Sequence, residues 1–145
     1  MRRYLPLFIV TLLFAGAPRL ASGCSCVAGV KPETARSVPA VFSGVVTTVS
    51  RPFAIGIPCT QSSNDLVFAV FTVETVYKGD LPVTVTVRTA VGGASCGYDF
   101  VAGKQYTVFA TFGSSSLETS ACSGNVEGAI VPSEYELPAG HPPRQ

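Results

Sequence analysis

PVTVTVRTA, residues 82–90, places Val83, Val85 and Val87 on one face of an extended chain and Thr84, Thr86 and Arg88 on the other. β-Branched residues at a period of two mark a strand with one face in a core. Working outward, the chain is a succession of such strands separated by turn residues. Upstream, Lys78-Gly79-Asp80-Leu81 makes a turn. Before it LVFAVFTVETVYKG (66–79) begins apolar on both faces and then alternates, with Val73, Thr75 and Tyr77 opposite Thr72, Glu74 and Val76. VFSGVVTTVS (41–50) is a further strand, with Gly44 at a bulge or bend. Residues 51–64 hold Pro52, Gly56, Pro58, Cys59 and a Ser-Ser-Asn cluster, and read as a long loop. Downstream, the Gly-rich stretch 91–103 carries Cys96. KQYTVFATF (104–112) is a fourth strand with Tyr106, Val108 and Ala110 facing one way, and residues 117–122 make a short fifth. The expected fold is all-β: a five-stranded Greek-key barrel of the OB type. A seven-stranded sandwich is the alternative, should the 66–79 run break in two. KPETARSVPA (31–40) is a short helix candidate, favoured by Pro32 and Glu33 at its start and stopped by Pro39.

The 145 residues suffice for one domain, preceded by a leader. Met1-Arg2-Arg3 supplies a positive end, residues 4–17 are apolar and uncharged, and Ala21-Ser22-Gly23 provides small residues before a cut at Cys24. The apolar run falls short of the roughly 20 residues that span a bilayer, so no transmembrane helix is expected in the mature chain. The expected organisation is a signal peptide (1–23), a domain (24–130) and a flexible C-terminal tail rich in Pro and Glu (131–145). The cut removes Arg2, Arg3 and Arg19 from ten basic residues and none of the nine acidic ones. The mature chain is then mildly acidic with scattered cations, which argues against a nucleic-acid partner. Its destination is extracellular or periplasmic.

Export changes how the five cysteines, Cys24, Cys26, Cys59, Cys96 and Cys122, are read. Disulfides persist outside the cytosol, and an odd count leaves at least one thiol over. Four readings compete for Cys24-Ser25-Cys26. A lipoprotein signal would acylate Cys24, but Leu20 lies one place early and Ala21 fills its slot. Thiolate zinc binding prefers paired C-x₂-C spacings, and the one histidine, His141, sits in the Pro-rich tail. The third is half of a disulfide framework. The fourth is a new chain terminus that itself does the work: an α-amino group and a neighbouring carbonyl oxygen, held rigidly, can close a five-membered chelate on one metal ion. A protease zinc keeps a position open for such a ligand. Gly93-Ala94-Ser95-Cys96-Gly97 matches G-x-S-x-G, but that motif needs a strand-to-helix elbow in a large α/β sheet, and no helix follows it here. No enzyme activity is expected.

CSCVAGVKPETARSVPAVFSGVV (24–46), SCGYDFVAGKQYTVFA (95–110) and SLETSACSGN (116–125) resemble the N-terminal, netrin-like OB domain of the tissue inhibitors of metalloproteinases. The resemblance implies a secreted inhibitor without a cofactor of its own, in the single-domain form of the bacterial relatives. It implies disulfides Cys24–Cys96 and Cys26–Cys122. It implies that the Cys24 amine and carbonyl bind the zinc of a target metalloprotease. Ser25 would enter the pocket beside the metal, Val27 and Ala28 would run on like a bound substrate, and Ser95, Cys96 and Gly97 would flank the wedge. Residues 51–64 would be a secondary contact. Two features depart from the family. Arg36 stands near the place of a further disulfide cysteine, and no cysteine follows Cys122. Cys59 has no counterpart, which leaves it unpaired or linking two chains. The alternative function is a non-inhibitory, secreted or lipid-anchored OB-fold module that binds another protein.

Overall fold

The computed structural model describes residues 24, 26, 31–51, 65–92 and 95–145. The expected leader (1–23), Ser25, Val27, Ala28 and Cys59 lie outside the described residues. After a two-turn helix, α1 (Lys31–Ser37), come β1 (Ala40–Ser50), β2 (Leu66–Lys78), β3 (Thr84–Ala90), β4 (Gln105–Phe112), β5 (Leu117–Glu118) and β6 (Val126–Glu127). A 3-10 helix follows at Pro132–Tyr135.

The strands run in the order β1-β2-β3-β5-β4, and β4 pairs back onto β1. That last pairing, Ala40 to Val45 against Gln105 to Ala110, closes a five-stranded barrel. Every ladder in it is antiparallel except β3 with β5, which run parallel. This is an OB-like barrel, as the strand pattern predicts. The two-residue β6 extends the row on β4 beside β5, pairing at Tyr106 and Thr107.

β1 is paired along both edges and must bend to do so. Its ladder with β2 shifts register three times, between Val41 and Phe42, Ser43 and Gly44, and Val46 and Thr48. Such bulges tighten the local twist and let a small barrel close. A Cβ on Gly44 would sit 2.4 Å from the Thr72 carbonyl oxygen, so the strands approach where only glycine fits.

The interior is lined by alternate residues: Ala40, Phe42 and Val46 from β1, Val85 and Val87 from β3, and Tyr106, Val108 and Ala110 from β4. Phe71 meets Phe42 and Phe100 edge-on, with ring centroids 5.4 and 5.1 Å apart, and Phe100 packs 5.2 Å from Tyr106. Phe100 comes from the β3–β4 connection and plugs the barrel. Two alternations depart from the sequence reading. β3 starts at Thr84, leaving Val83 outside the strand and 40 % exposed. In β2 the regular half is the first: Val67, Ala69, Phe71 and Val73 are buried, whereas Phe68 and Thr72 are exposed. An extra residue at Glu74 then reverses the facing, since a one-residue slip turns side chains over. Val76 therefore joins the interior and Tyr77 points outward.

A second cluster lies on the outside of the barrel, where Ala35 of α1, Val38 just after it and Tyr135 cover Val41, Tyr77 and Phe109. Lys78 Nζ donates to the carbonyls of Ala35 and Arg36 at 2.9 and 3.0 Å, capping the end of α1. The expected loose tail is corrected here, because residues 131–145 are docked. Tyr135 is buried against Phe109, ring centroids 5.4 Å apart. His141 exchanges two backbone hydrogen bonds with Val76, of 2.8 and 2.9 Å. The Arg144 amide donates to Leu81, and the Val83 amide to Arg144. The cause is an open edge: β3 stops pairing with β2 at Thr72, and the returning tail supplies the partners Val76 would lack. No helix among the described residues is long and apolar enough to cross a membrane.

Candidate functional site

Two disulfides fix the segment ahead of α1 to one rim of the barrel. Cys24 is bonded to Cys96 in the β3–β4 connection, and Cys26 to Cys122 in the β5–β6 connection. They span 72 and 96 residues of sequence, and bonds of this kind typically contribute roughly 2–4 kcal/mol each. Their Cα atoms lie 5.5 and 5.1 Å apart. These are the pairs the family resemblance implies.

The two receiving loops are neighbours because β3 and β5 run side by side. The Thr119 amide donates to the Arg88 carbonyl at 3.0 Å, and the Ala121 amide to the Cys96 carbonyl at 2.8 Å. Cys96 itself holds a left-handed backbone, φ 60°. Gly97 follows it, with its amide 3.3 Å from the Val91 carbonyl oxygen. A Cβ on Gly97 would lie 1.8 Å from the Ala90 carbonyl oxygen, so this position accepts only glycine. Tyr98 then returns to the barrel, its amide donating to the buried Thr89 hydroxyl at 2.9 Å. Burial pushes the Tyr98 phenol above its usual value, with Tyr106 and Glu127 adding to the rise and Lys104 opposing it.

The Cys122 turn is built from side chains. Asn125 Oδ1 accepts from the Phe109 amide at 2.9 Å, and Asn125 Nδ2 donates to Thr119 Oγ1 and to the Ser120 carbonyl. Thr119 Oγ1 in turn donates to the Phe109 carbonyl at 2.8 Å. Ser123 Oγ accepts from the Ser120 amide, and Ser120 Oγ from the Cys122 amide. Beneath the turn, Arg88 pairs with Glu118 across the parallel β3–β5 ladder. A cleft of about 250 Å³ opens beside it, lined by Val38, Phe109, Thr111, Glu118, Ser120 and Ser123 among others.

Of the residues singled out from sequence, Cys24, Cys26, Ser95, Cys96, Gly97 and Cys122 are described, and the four cysteines among them meet at this rim. Ser25, Val27, Ala28 and Cys59 lie outside the described residues. Sequence reasoning missed Thr119 and Asn125. Asn125 stands in the turn-forming run Ser123-Gly124-Asn125, but nothing local says that its amide is aimed at β4. The G-x-S-x-G match gains no support: from Gly97 to Lys104 the chain reaches β4 without a helix. Among the described residues no three His, Cys, Asp or Glu side chains gather as a metal site. The arrangement can do one thing chemically: it immobilises the backbone at residues 24 and 26 on a rim shared by two other loops. No protein-family model matches the chain, and no curated protein matches it.

Proposed function

We propose that the protein is an exported inhibitor of zinc metalloproteases, and that its inhibitory group is the Cys24 terminus created by the cut after Gly23. The observation that carries this reading is the double staple: residues 24 and 26 are each bonded to a loop of the same rim. An α-amino group with a reference pKa of about 7.7–8.0 is readily made neutral near physiological pH. The Cys24 nitrogen and carbonyl oxygen then close a chelate on the open position of the protease zinc. Rigidity before binding lowers the ordering cost of docking. Ser25 enters the pocket beside the metal, Val27 and Ala28 lie along the cleft, and Ser95, Cys96 and Gly97 flank the wedge. The resemblance to the tissue inhibitors of metalloproteinases supplies these roles, and the pairing of Cys24 with Cys96 and Cys26 with Cys122 supports them.

The test uses the mature protein beginning at Cys24, assayed against a panel of zinc proteases, beside the same protein with one alanine added before Cys24. The native terminus inhibits and the extended one does not, because the added residue turns the amine into an amide. Equal inhibition by the two overturns chelation. An intact mass carrying acyl groups on Cys24 overturns it as well, in favour of a lipid-anchored binding module.

A further inference from the structure

We infer that the two staples are unequal: Cys26–Cys122 is a reducible latch that a dithiol opens while Cys24–Cys96 stays closed. Its effect on inhibition rests on the proposed wedge, whereas the order of opening does not. Cys26 and Cys122 are both exposed, and Cys24 and Cys96 are only half-exposed. Thiol–disulfide exchange needs a thiolate to reach a sulfur, so access governs which bond reacts. Loop entropy does not separate the two: with either bond closed, the other completes the same ring of 30 residues, 24–26 and 96–122. Their surroundings do. Cys96 is fixed between Gly97, which is buried under Ala90, and the Ala121 amide on its own carbonyl. Cys122 stands beside exposed Ala121 at the tip of a turn.

The step balances without any further reactant. One thiolate of the dithiol attacks a sulfur of the pair, forming a mixed disulfide as the Cys26–Cys122 bond breaks. The departing cysteine thiolate takes up a proton. The second thiol of the reductant attacks the mixed disulfide, closes the reductant's own disulfide and releases the other cysteine. Two electrons pass from the dithiol to the protein disulfide. The Cys122 turn keeps its shape afterwards, since Thr119, Asn125 and Ser123 and the Ala121–Cys96 bond hold it. Cys26 is therefore the end let go, with Cys24 still tethered to Cys96. In the wedge this retains the zinc-binding amine but removes the fixed direction of the residues after it.

The experiment treats the native protein, starting at Cys24 and with pre-existing thiols blocked, with stepwise dithiothreitol in the absence of denaturant. New thiols are trapped with N-ethylmaleimide and mapped by peptide mass. A species labelled at Cys26 and Cys122, with Cys24–Cys96 intact, should accumulate first. It should inhibit at least about tenfold more weakly than the oxidised protein, the cost of lost preorganisation, and the untrapped form should recover on reoxidation. First labelling at Cys24 and Cys96, or both bonds opening together, overturns the latch, as does a two-label species that inhibits undiminished. The Cys26→Ser, Cys122→Ser double variant should match the two-label species; should it fail to fold, the chemical reduction decides alone. Oxidised protein that does not inhibit at all refutes the wedge, and the labelling order then still decides the latch.

Discussion

Replacing Gly97 by alanine would put a methyl carbon 1.8 Å from the Ala90 carbonyl oxygen, a contact that only backbone movement can relieve. The atom it meets belongs to Ala90 of β3, held in register with Leu66 of β2, so the loop carrying Cys96 must give way instead. Gly97→Ala should cost roughly 3 kcal/mol or more, as for severe overpacking. It should also lower the yield of correctly paired Cys24–Cys96. A urea titration and a disulfide map check both, and a fully oxidised variant of wild-type stability would show that the loop adapts freely. Nothing in the letters Cys96-Gly97 announces this contact, because the oxygen it avoids lies several residues back in the preceding strand. Asn125 is hidden for the same reason: its partners are Phe109 on β4 and Thr119 and Ser120 just after β5, and a turn-forming residue looks alike whether its side chain points to water or to a strand. By contrast, Cys24 and Cys26 were conspicuous from sequence, since their C-x-C spacing and their place just after an apolar, uncharged run are local features.

At the scale of elements, periodicity was legible wherever a strand keeps one face in the core. β4 does so, and Tyr106, Val108 and Ala110 are inside as their spacing predicts. β2 does not, because the bulge at Glu74 resets its facing, and a bulge is set by the partner strand rather than by the bulged sequence. The tail shows the opposite failure. Its Pro-rich composition argues for a loose end, yet the backbone groups of Val76, Leu81 and Val83 need partners that only another segment can bring. Deleting residues 139–145 removes four backbone hydrogen bonds, made by His141 and Arg144, and the Arg144–Asp80 pair. At about 0.5–1.5 kcal/mol net for each backbone bond, and little from an exposed ion pair, the loss should be roughly 2–6 kcal/mol. Barrel closure between β1 and β4 does not involve these residues, so the far-ultraviolet spectrum should persist while the urea midpoint falls. An unchanged midpoint would mean that water replaces the tail at no cost.

For the whole molecule, the links between barrel interior, outer strands and stapled rim converge near Tyr98, and they fix how stability depends on pH. Tyr98 packs on Phe100 and Tyr106 one residue beyond Gly97, and burial is the main cause of its raised pKa. In the unfolded chain its phenol ionises near pH 10. The folded protein binds that proton more tightly, so the unfolded state loses it first as pH rises. The resulting stability is fully present below about pH 10 and disappears as pH climbs through the folded value. Lys104 acts in the same direction: its hydrogen bond to Glu127 comes first among the causes that raise its pKa, but the group is solvent-exposed and adds little. Stability should therefore be flat from about pH 8 to pH 9 and fall above about pH 10, a steeper fall than one exposed cation can produce. Urea midpoints across that range, measured without added thiol, test this in wild type and in Tyr98→Phe. The variant keeps the ring against Phe100 and removes the ionisable group, so its alkaline slope should be shallower. An identical slope in the two proteins would place the alkaline transition elsewhere and remove Tyr98 as the link between the core and the rim that holds Cys24.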